Sequence, residues 1–377
     1  MILTQVYRSD RNVLQAAQER IRFIFDSFEN IHVSISGGKD STVLAHLALM
    51  EAQRRGRRIG IFFLDEEVVY QETINQVEYI MEQMAPGYVI PLWLQMEFHL
   101  TNATSLTETQ FIPWQPGKHT IWMRPKKSYS IKFPMWDRST QFVADKTKGF
   151  GFYDMFVNFE RCYTNTAFLV GLRGTESPNR WRTVSKNPAM IAGENIYWAT
   201  TKGVNYSMYP LYDWNFHDIW HYIADNNLRY HRIYDYQVKK GYPITEMRIS
   251  SLIHEKSFKS IVDLPEFEPE TYNKLLKRAK GIALAQETGK NAKLFKARKL
   301  PKNFKSWRAY RDFLLATHPD PVGKEVMARR FANHLDNEFV ARQQVRQLVL
   351  NDYENNLPVD NQPDPREKWV RYYMENL

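Results

Sequence analysis

Apolar residues recur at helical spacing through Leu14, Ala17, Ile21, Ile24, Phe25 and Phe28, which predicts an amphipathic helix over 12–29 with Asn12 as its cap. The run IHVSIS (31–36) reads as a short buried strand that breaks at Gly37-Gly38. Residues 41–55 carry a strong apolar helical stripe. A strand over 59–65, a helix over 71–84 and a strand over 88–95 follow. Strands alternating with helices imply βαβ units, hence a doubly wound, mainly parallel α/β sheet. From about 101 to 150 the alternation is lost in a loop-rich insertion with Pro, Trp and Lys. It resumes with a helix near 154–166, a strand over 167–173 and a helix from Asn215, where Asn215 and Asp218 have capping-box spacing. Beyond about 255 the pattern is helical, basic and interrupted by prolines. The expected organisation is a sheet domain over 1–260 and a helical basic domain over 261–377, with a soft boundary at 255–270.

Composition narrows the options. Of 377 residues, 43% are apolar and 25% charged, as in ordinary globular chains. The lone cysteine, Cys162, excludes an intramolecular disulfide, a cysteine-ligated zinc finger and an iron–sulfur cluster held by this chain alone. It fits a reducing cytoplasm, where a small half-buried side chain is its expected role. The N-terminal residues lack the apolar run of a signal peptide, and no stretch approaches 18 apolar residues, so no membrane contact is expected.

The sharpest local feature is Ser36-Gly37-Gly38-Lys39-Asp40-Ser41 at a strand-to-helix junction. Two glycines allow a tight turn and close approach to a ligand. The following helix aims N–H groups and its positive dipole end at the same point, which suits a phosphate. Ser36, Ser41 and Thr42 add hydroxyls and Lys39 adds a cation. It is not a Walker A loop, because Asp follows the lysine. These six residues match the PP-loop signature SGGxDS of the adenine-nucleotide alpha-hydrolase superfamily. The resemblance implies binding of ATP or a related adenine nucleotide with Mg²⁺, attack at the α-phosphorus and release of pyrophosphate.

Further segments are similar to phosphoadenosine phosphosulfate (PAPS) reductases. FFLDEEVVYQET (62–73) resembles their second-strand segment and implies a nucleoside-proximal role for Asp65, with Glu72 and Thr73 beside it. A solvated helix N-terminus is the other reading of Asp65-Glu66-Glu67. GLRGTESPNR (171–180) resembles G-x-R-x-x-E-S-x-x-R, which makes Arg173 a donor to phosphate or sulfate and pairs Glu176 with Arg180. Lys39, Asp40 and Arg173 are the catalytic candidates. YPLYDWNFHDIWHYI (209–223) matches a structural element built on Trp214 and Trp220. His217 and His221 stand at i, i+4 without a third ligand, so no metal site is expected.

The pattern breaks where reductases carry a nucleophilic cysteine: the chain reads EMRISSLIHEKS (246–257) there. Cysteine-dependent reduction is excluded on that basis, and nucleotide binding with adenylyl transfer or pyrophosphate release remains. A non-catalytic, nucleotide-sensing regulator in transcription or phage defence is the alternative. A reductase-like part without cysteines, followed by a basic helical part, resembles the IbrA-type co-activators of prophage gene expression. That resemblance implies a ParB-like (IbrB-type) partner protein.

The net charge is +9, but residues 274–307 carry eleven Lys or Arg against Glu287 alone. With Phe295, Phe304 and Trp307 interleaved, this segment reads as a footprint for DNA or RNA. A solvated helical face or an acidic protein partner would show the same charge.

Overall fold

The computed structural model describes residues 11–105, 107–132, 151–185, 188–244, 247–254, 257–289, 299–353, 355, 357–364 and 366. The chain divides into two compact units that interleave in sequence. Described residues up to Phe98, Pro113–Pro116 and Arg124–Ile249 form the first. His99–Ile112, Gly117–Met123 and those from Ser250 onward form the second.

The first unit is built on a six-stranded sheet. Its strands are β1 (Asn30–Ser34), β2 (Ile59–Leu64), β3 (Val89–Leu94), β4 (Thr166–Val170), β5 (Ala199–Lys202) and β6 (Asn205–Met208), in the order β3-β2-β1-β4-β6-β5. All neighbours run parallel except β5 and β6, joined by Gly203-Val204 with Gly203 at φ +62°. The expected doubly wound, mainly parallel sheet is what the chain forms. β5 and β6 were not legible, because ATTKGVNYSM is too polar to read as strand. β5 is the edge strand, where polar residues can face solvent without breaking the ladder, and β6 beside it buries Asn205 in hydrogen bonds with the backbone of Thr166, Glu160 and Tyr163.

Helices α1 (Val13–Ser27), α2 (Lys39–Arg55), α3 (Gln71–Glu78), α4 (Phe152–Arg161), α5 (Pro178–Ser185), α6 (Phe216–Asp225) and α7 (Ile233–Lys239) belong to this unit. Asn12 caps α1, and Asn215 with Asp218 closes the capping box of α6, as the spacing predicts. The helix expected over 71–84 is α3 continued by a π turn over Tyr79–Gln83. The chain leaves β1 for β2 and β3 on one side, whereas β4 and β6 lie on the other. The carboxyl ends of β1 and β4 therefore flank a topological switch point, where open α/β sheets hold their ligands.

One core position is costly in acid. His32 on β1 is 7% exposed among Phe159, Tyr163 and Phe168, and its Nδ1 has no hydrogen-bond partner. Gly60, its register partner on β2, makes room: a Cβ there would lie 2.5 Å from the imidazole. Burial lowers the His32 pKa to about 4. Between the ordinary value near 6.5 and this one, the unfolded chain binds a proton that the folded chain refuses. Stability therefore falls as pH drops through that window, by about 3 kcal/mol from His32. Urea denaturation at pH 7 and at pH 4.5 should show the decline, and His32→Leu should make it smaller, with the share of buried His231 left in place. An equal decline in the variant would assign the acid sensitivity elsewhere.

The second unit is mostly helical: α8 (Phe258–Phe267), α9 (Pro269–Arg278), α10 (Ile282–Gly289), α11 (Trp307–Ala316), α12 (Pro321–Phe331) and α13 (Glu338–Val349). Part of the expected insertion is integral to it. Leu100–Thr101 pairs with Gln110–Phe111, and Asn351 donates to the carbonyls of Asn102 and Ser105. Residues 133–150 of the insertion lie outside the described residues. No helix among the described residues is long and apolar enough to cross a membrane.

Candidate functional site

The glycine loop leaves the carboxyl end of β1 and feeds directly into α2, with Gly38 as the N-cap. Gly37 sits at φ +73°, and a Cβ there would meet Thr73 Cγ2 at 3.0 Å and the Thr73 carbonyl at 3.2 Å. Both the backbone conformation and the space demand glycine. Across the switch point, Gly171 lies against the first turn of α2: a Cβ on it would stand 3.2 Å from the Ser41 nitrogen. The loop is braced internally. Ser41 Oγ accepts from Ser36 N–H at 3.2 Å and donates to the Gly38 carbonyl at 3.0 Å, and Thr42 Oγ1 donates to that carbonyl at 2.9 Å. The first-turn N–H groups of α2, which helix geometry leaves without intrahelical acceptors, are thus held in one place.

Several braces come from segments the sequence reading did not connect to the loop. Tyr234 Oη accepts from Lys39 N–H at 3.3 Å. His231 Nδ1 accepts from Ile233 N–H at 3.1 Å, so its Nε2 carries the proton and donates to Thr73 Oγ1 at 3.0 Å. Burial lowers the His231 pKa to about 3, so it stays neutral and the bond to Thr73 persists. Gln76 donates to Thr42 Oγ1 at 3.2 Å, and Arg229 links Gln76 to Glu72. Only a Y-x-x-x-Y spacing after a short helix start could have signalled Tyr234. Tyr234→Phe should cost about 1 kcal/mol in stability by leaving the Lys39 amide without its acceptor. Urea unfolding of both proteins checks this; no change would mean that the phenol does not hold the loop.

The charged groups form one chain. Lys39 is 5% exposed, with its ammonium 5.6 Å from the Phe216 ring centre and 5.4 Å from that of Tyr234. Nζ donates to Asp40 Oδ2 at 2.9 Å. Arg173, buried at the end of the β4 turn, donates to the other oxygen of Asp40 and, at 2.8 Å, to Glu176. Glu176 also pairs with Arg180, as its spacing predicts. Burial pushes the Lys39 pKa down; Asp40 opposes the shift, and Arg173 and Arg180 add to it. Three cations against two carboxylates leave the site one positive charge in excess, at the point where a helix N-terminus already favours an anion. Ser36, Gly37, Gly38, Lys39, Asp40, Ser41, Thr42, Arg173 and Arg180 all come together here. This donor set suits phosphates. It does not make a metal cage: among the described residues no group of three or more His, Cys, Asp or Glu could hold an ion.

Asp65 is placed differently from a solvated helix N-terminus. It is fully buried, and four donors surround its carboxylate. Oδ1 accepts from Glu67 N–H at 2.9 Å and from Arg124, and Oδ2 accepts from Trp93 Nε1 and Gln95 Nε2 at 2.9 Å each. A ribose hydroxyl would have to displace one of them. The Asp65 carbonyl accepts from Trp114 Nε1 at 2.8 Å, and Glu67 accepts from Trp114 N–H at 2.6 Å. Glu67 and Trp114 hold φ values of 66° and 56°, a left-handed conformation that costs about 1–2 kcal/mol per residue and that these bonds sustain.

Cys162 follows α4 and precedes β4, so it lies at the amino edge of the sheet. The phosphate loop and Arg173 lie at the carboxyl edge, about 15 Å away along the five residues of β4. Its thiol donates to the Asn158 carbonyl at 3.4 Å, and burial raises its pKa. It is a poorly activated, half-buried side chain remote from the loop.

Residues 241–339 match a domain of unknown function (DUF3440). The uncharacterized protein YbdN of Escherichia coli (strain K12) is 25% identical over 320 residues, covering 83% of this chain and 77% of that one. Among solved structures, the PAPS reductase of Candida auris in its phosphate complex aligns with a TM-score of 0.34 at 13% identity, over 64% of this chain and 95% of that one. The FMN adenylyltransferase of Candida glabrata with FAD and inorganic pyrophosphate gives 0.33 at 15% identity, over 62% and 65%. The U34-tRNA thiolase NcsA of Methanococcus maripaludis, with its [4Fe-4S] cluster, gives 0.31 at 13%, over 73% and 79%. These structural likenesses are distant. The phosphoadenosine phosphosulfate reductase domain, by contrast, matches residues 30–109 and 153–268, more than half of the sequence and the whole glycine loop. The chain belongs to that domain family, within the PP-loop adenine nucleotide alpha-hydrolase superfamily.

Proposed function

We infer that this protein binds ATP or a related adenine nucleotide at the PP-loop and catalyses substitution at its α-phosphorus, with pyrophosphate as the leaving group. The acceptor is water or a group to be adenylated. The observation that carries the reading is the convergence of Lys39, Arg173 and Arg180 on a glycine loop at the switch point, with the only thiol at the opposite edge of the sheet. An acceptor oxygen bonds to phosphorus, the bond to the bridging oxygen breaks, and the acceptor's proton leaves to solvent or a base. The cations and the α2 N-terminus hold the charge that develops on pyrophosphate, the form of stabilisation worth most in such sites. Mg²⁺ would arrive with the phosphates, with Asp40 as the nearest carboxylate.

A regulatory reading without turnover has one observation in its favour. Asp40 and Glu176 are both held in ion pairs, so neither stands as a general base for an incoming hydroxyl. One experiment separates the two. The full chain is incubated with ATP, Mg²⁺ and candidate acceptors, alone and with a co-purified ParB-like partner. AMP and pyrophosphate are then quantified, and ATP binding is measured by calorimetry. Stoichiometric pyrophosphate supports the enzyme. Binding without product supports the sensor. Absence of binding removes both.

A further inference from the structure

The cations expected to form one footprint over 274–307 do not behave alike. Arg278 is 5% exposed, lies 4.2 Å over the Phe111 ring and donates to the Ile112 carbonyl at 2.7 Å, so it is part of the second unit's framework. Lys280 pairs with Glu108 at 2.7 Å. Lys290, Lys293, Lys296 and Arg298 lie outside the described residues. What remains together is a different surface around α11. Lys299, Lys302 and Lys305 recur every third residue, are all exposed, and make no ion pair among the described residues. A ladder of aromatic rings starts within this segment at Phe304 and continues along α11. Phe304 lies 4.7 Å from Tyr310 and 5.2 Å from Phe313, and Tyr310 lies 6.5 Å from Trp307. Arg342, reaching from α13, sits 5.7 Å over the Trp307 ring. None of the α11 side chains is fully buried, and Phe313 is 49% exposed.

We propose that this surface binds an unpaired nucleic-acid strand, with the bases stacked on the rings of Trp307, Tyr310 and Phe313 and the phosphates on Lys299, Lys302 and Lys305. The charge alone would accept any polyanion. The rings decide the occupant. A base can stack on an aromatic side chain only when its face is free, which is so in a single strand and not in a duplex. An acidic protein would meet the lysines but would leave the ladder without planar partners. Arg308 and Arg311 are paired with three carboxylates, Asp336, Glu338 and Asp312, so these arginines offer no excess positive charge and the lysines of 299–305 supply it. The strand is therefore expected to run along 299–305 with its bases turned toward α11.

The test uses the full chain and fluorescence anisotropy with a labelled oligo(dT) 12-mer, an oligo(U) 12-mer and a 12-base-pair duplex, at several salt concentrations. At least one single strand should bind ten-fold or more tightly than the duplex. The triple variant Lys299→Glu, Lys302→Glu, Lys305→Glu should lower the salt-dependence slope by about 2, because each lost phosphate contact removes roughly 0.7. Phe313→Ala should weaken binding on the order of ten-fold with the slope unchanged, and Phe313→Trp should restore it. Phe313 is half exposed, so the fold tolerates both, and circular dichroism checks this. Lys39→Met should bind the strand like the parent protein, which separates this surface from the nucleotide site. Equal affinity for duplex and strand, displacement by polyglutamate at equal charge, an unaffected Phe313→Ala, or no binding at all would each overturn the proposal.

Discussion

Lys39→Met should lower ATP affinity by roughly ten- to a hundred-fold and leave the protein as stable as before, or about 1 kcal/mol more stable. The first effect follows from losing charge-assisted bonds to phosphate, worth about 1.5–3 kcal/mol. The second follows from burial. The ammonium is 5% exposed, and burial already pulls its pKa down, which means the folded chain holds the charge at a cost. Methionine fills nearly the same volume against Phe216 and Tyr234 and needs no counter-charge. Asp40 keeps Arg173. Calorimetric titration with ATP and a thermal melt read the two effects separately. A stability loss with unchanged affinity would make Lys39 a structural residue and remove the basis of the nucleotide reading.

Asp65→Ala should destabilise the first unit by about 3–5 kcal/mol, the range for breaking a buried ion pair and leaving its partners unsatisfied. The substitution strands Arg124, Trp93 Nε1, Gln95 Nε2 and the Glu67 amide together. Trp93 and Trp114 are both held by the same strand end, so the tryptophan fluorescence should shift at lower urea concentration than in the parent. This variant also separates the two roles considered for Asp65. A carboxylate serving mainly a ribose would lose affinity on substitution and keep its unfolding midpoint. A carboxylate serving mainly the Trp114 and Arg124 segments would lose the midpoint first.

Much of the fold was legible because its signals are local. The βαβ alternation, the caps at Asn12 and Asn215, and the break at Gly37-Gly38 each depend on a few consecutive residues. The glycine loop was legible for the same reason: six residues contain both the turn and the phosphate donors. The strands β5 and β6 were not: β5 is an edge strand that needs no apolar run, and β6 beside it buries a polar residue, Asn205, in hydrogen bonds with backbone distant in the chain. Nor were the braces on the loop. Tyr234 on α7 reaches Lys39 and His231 just before α7 reaches Thr73 on α3 only through the tertiary fold, and nothing in their own neighbourhood says so.

The order of residues sets which chemistry is available: a phosphate loop, one cation within it, a single thiol, and a basic C-terminal region. The tertiary structure decided which of these groups meet. Strand order brings β4 beside β1, so Arg173 and Arg180 arrive at the loop, while the same parallel register sends Cys162 to the far edge. Packing takes Arg278 out of the basic surface and turns Asp65 from an exposed acid into a buried anchor. Local patterns record what a segment can do. Which segments act together depends on crossovers between strands distant in the chain, and those are settled only when the hydrophobic faces find their partners.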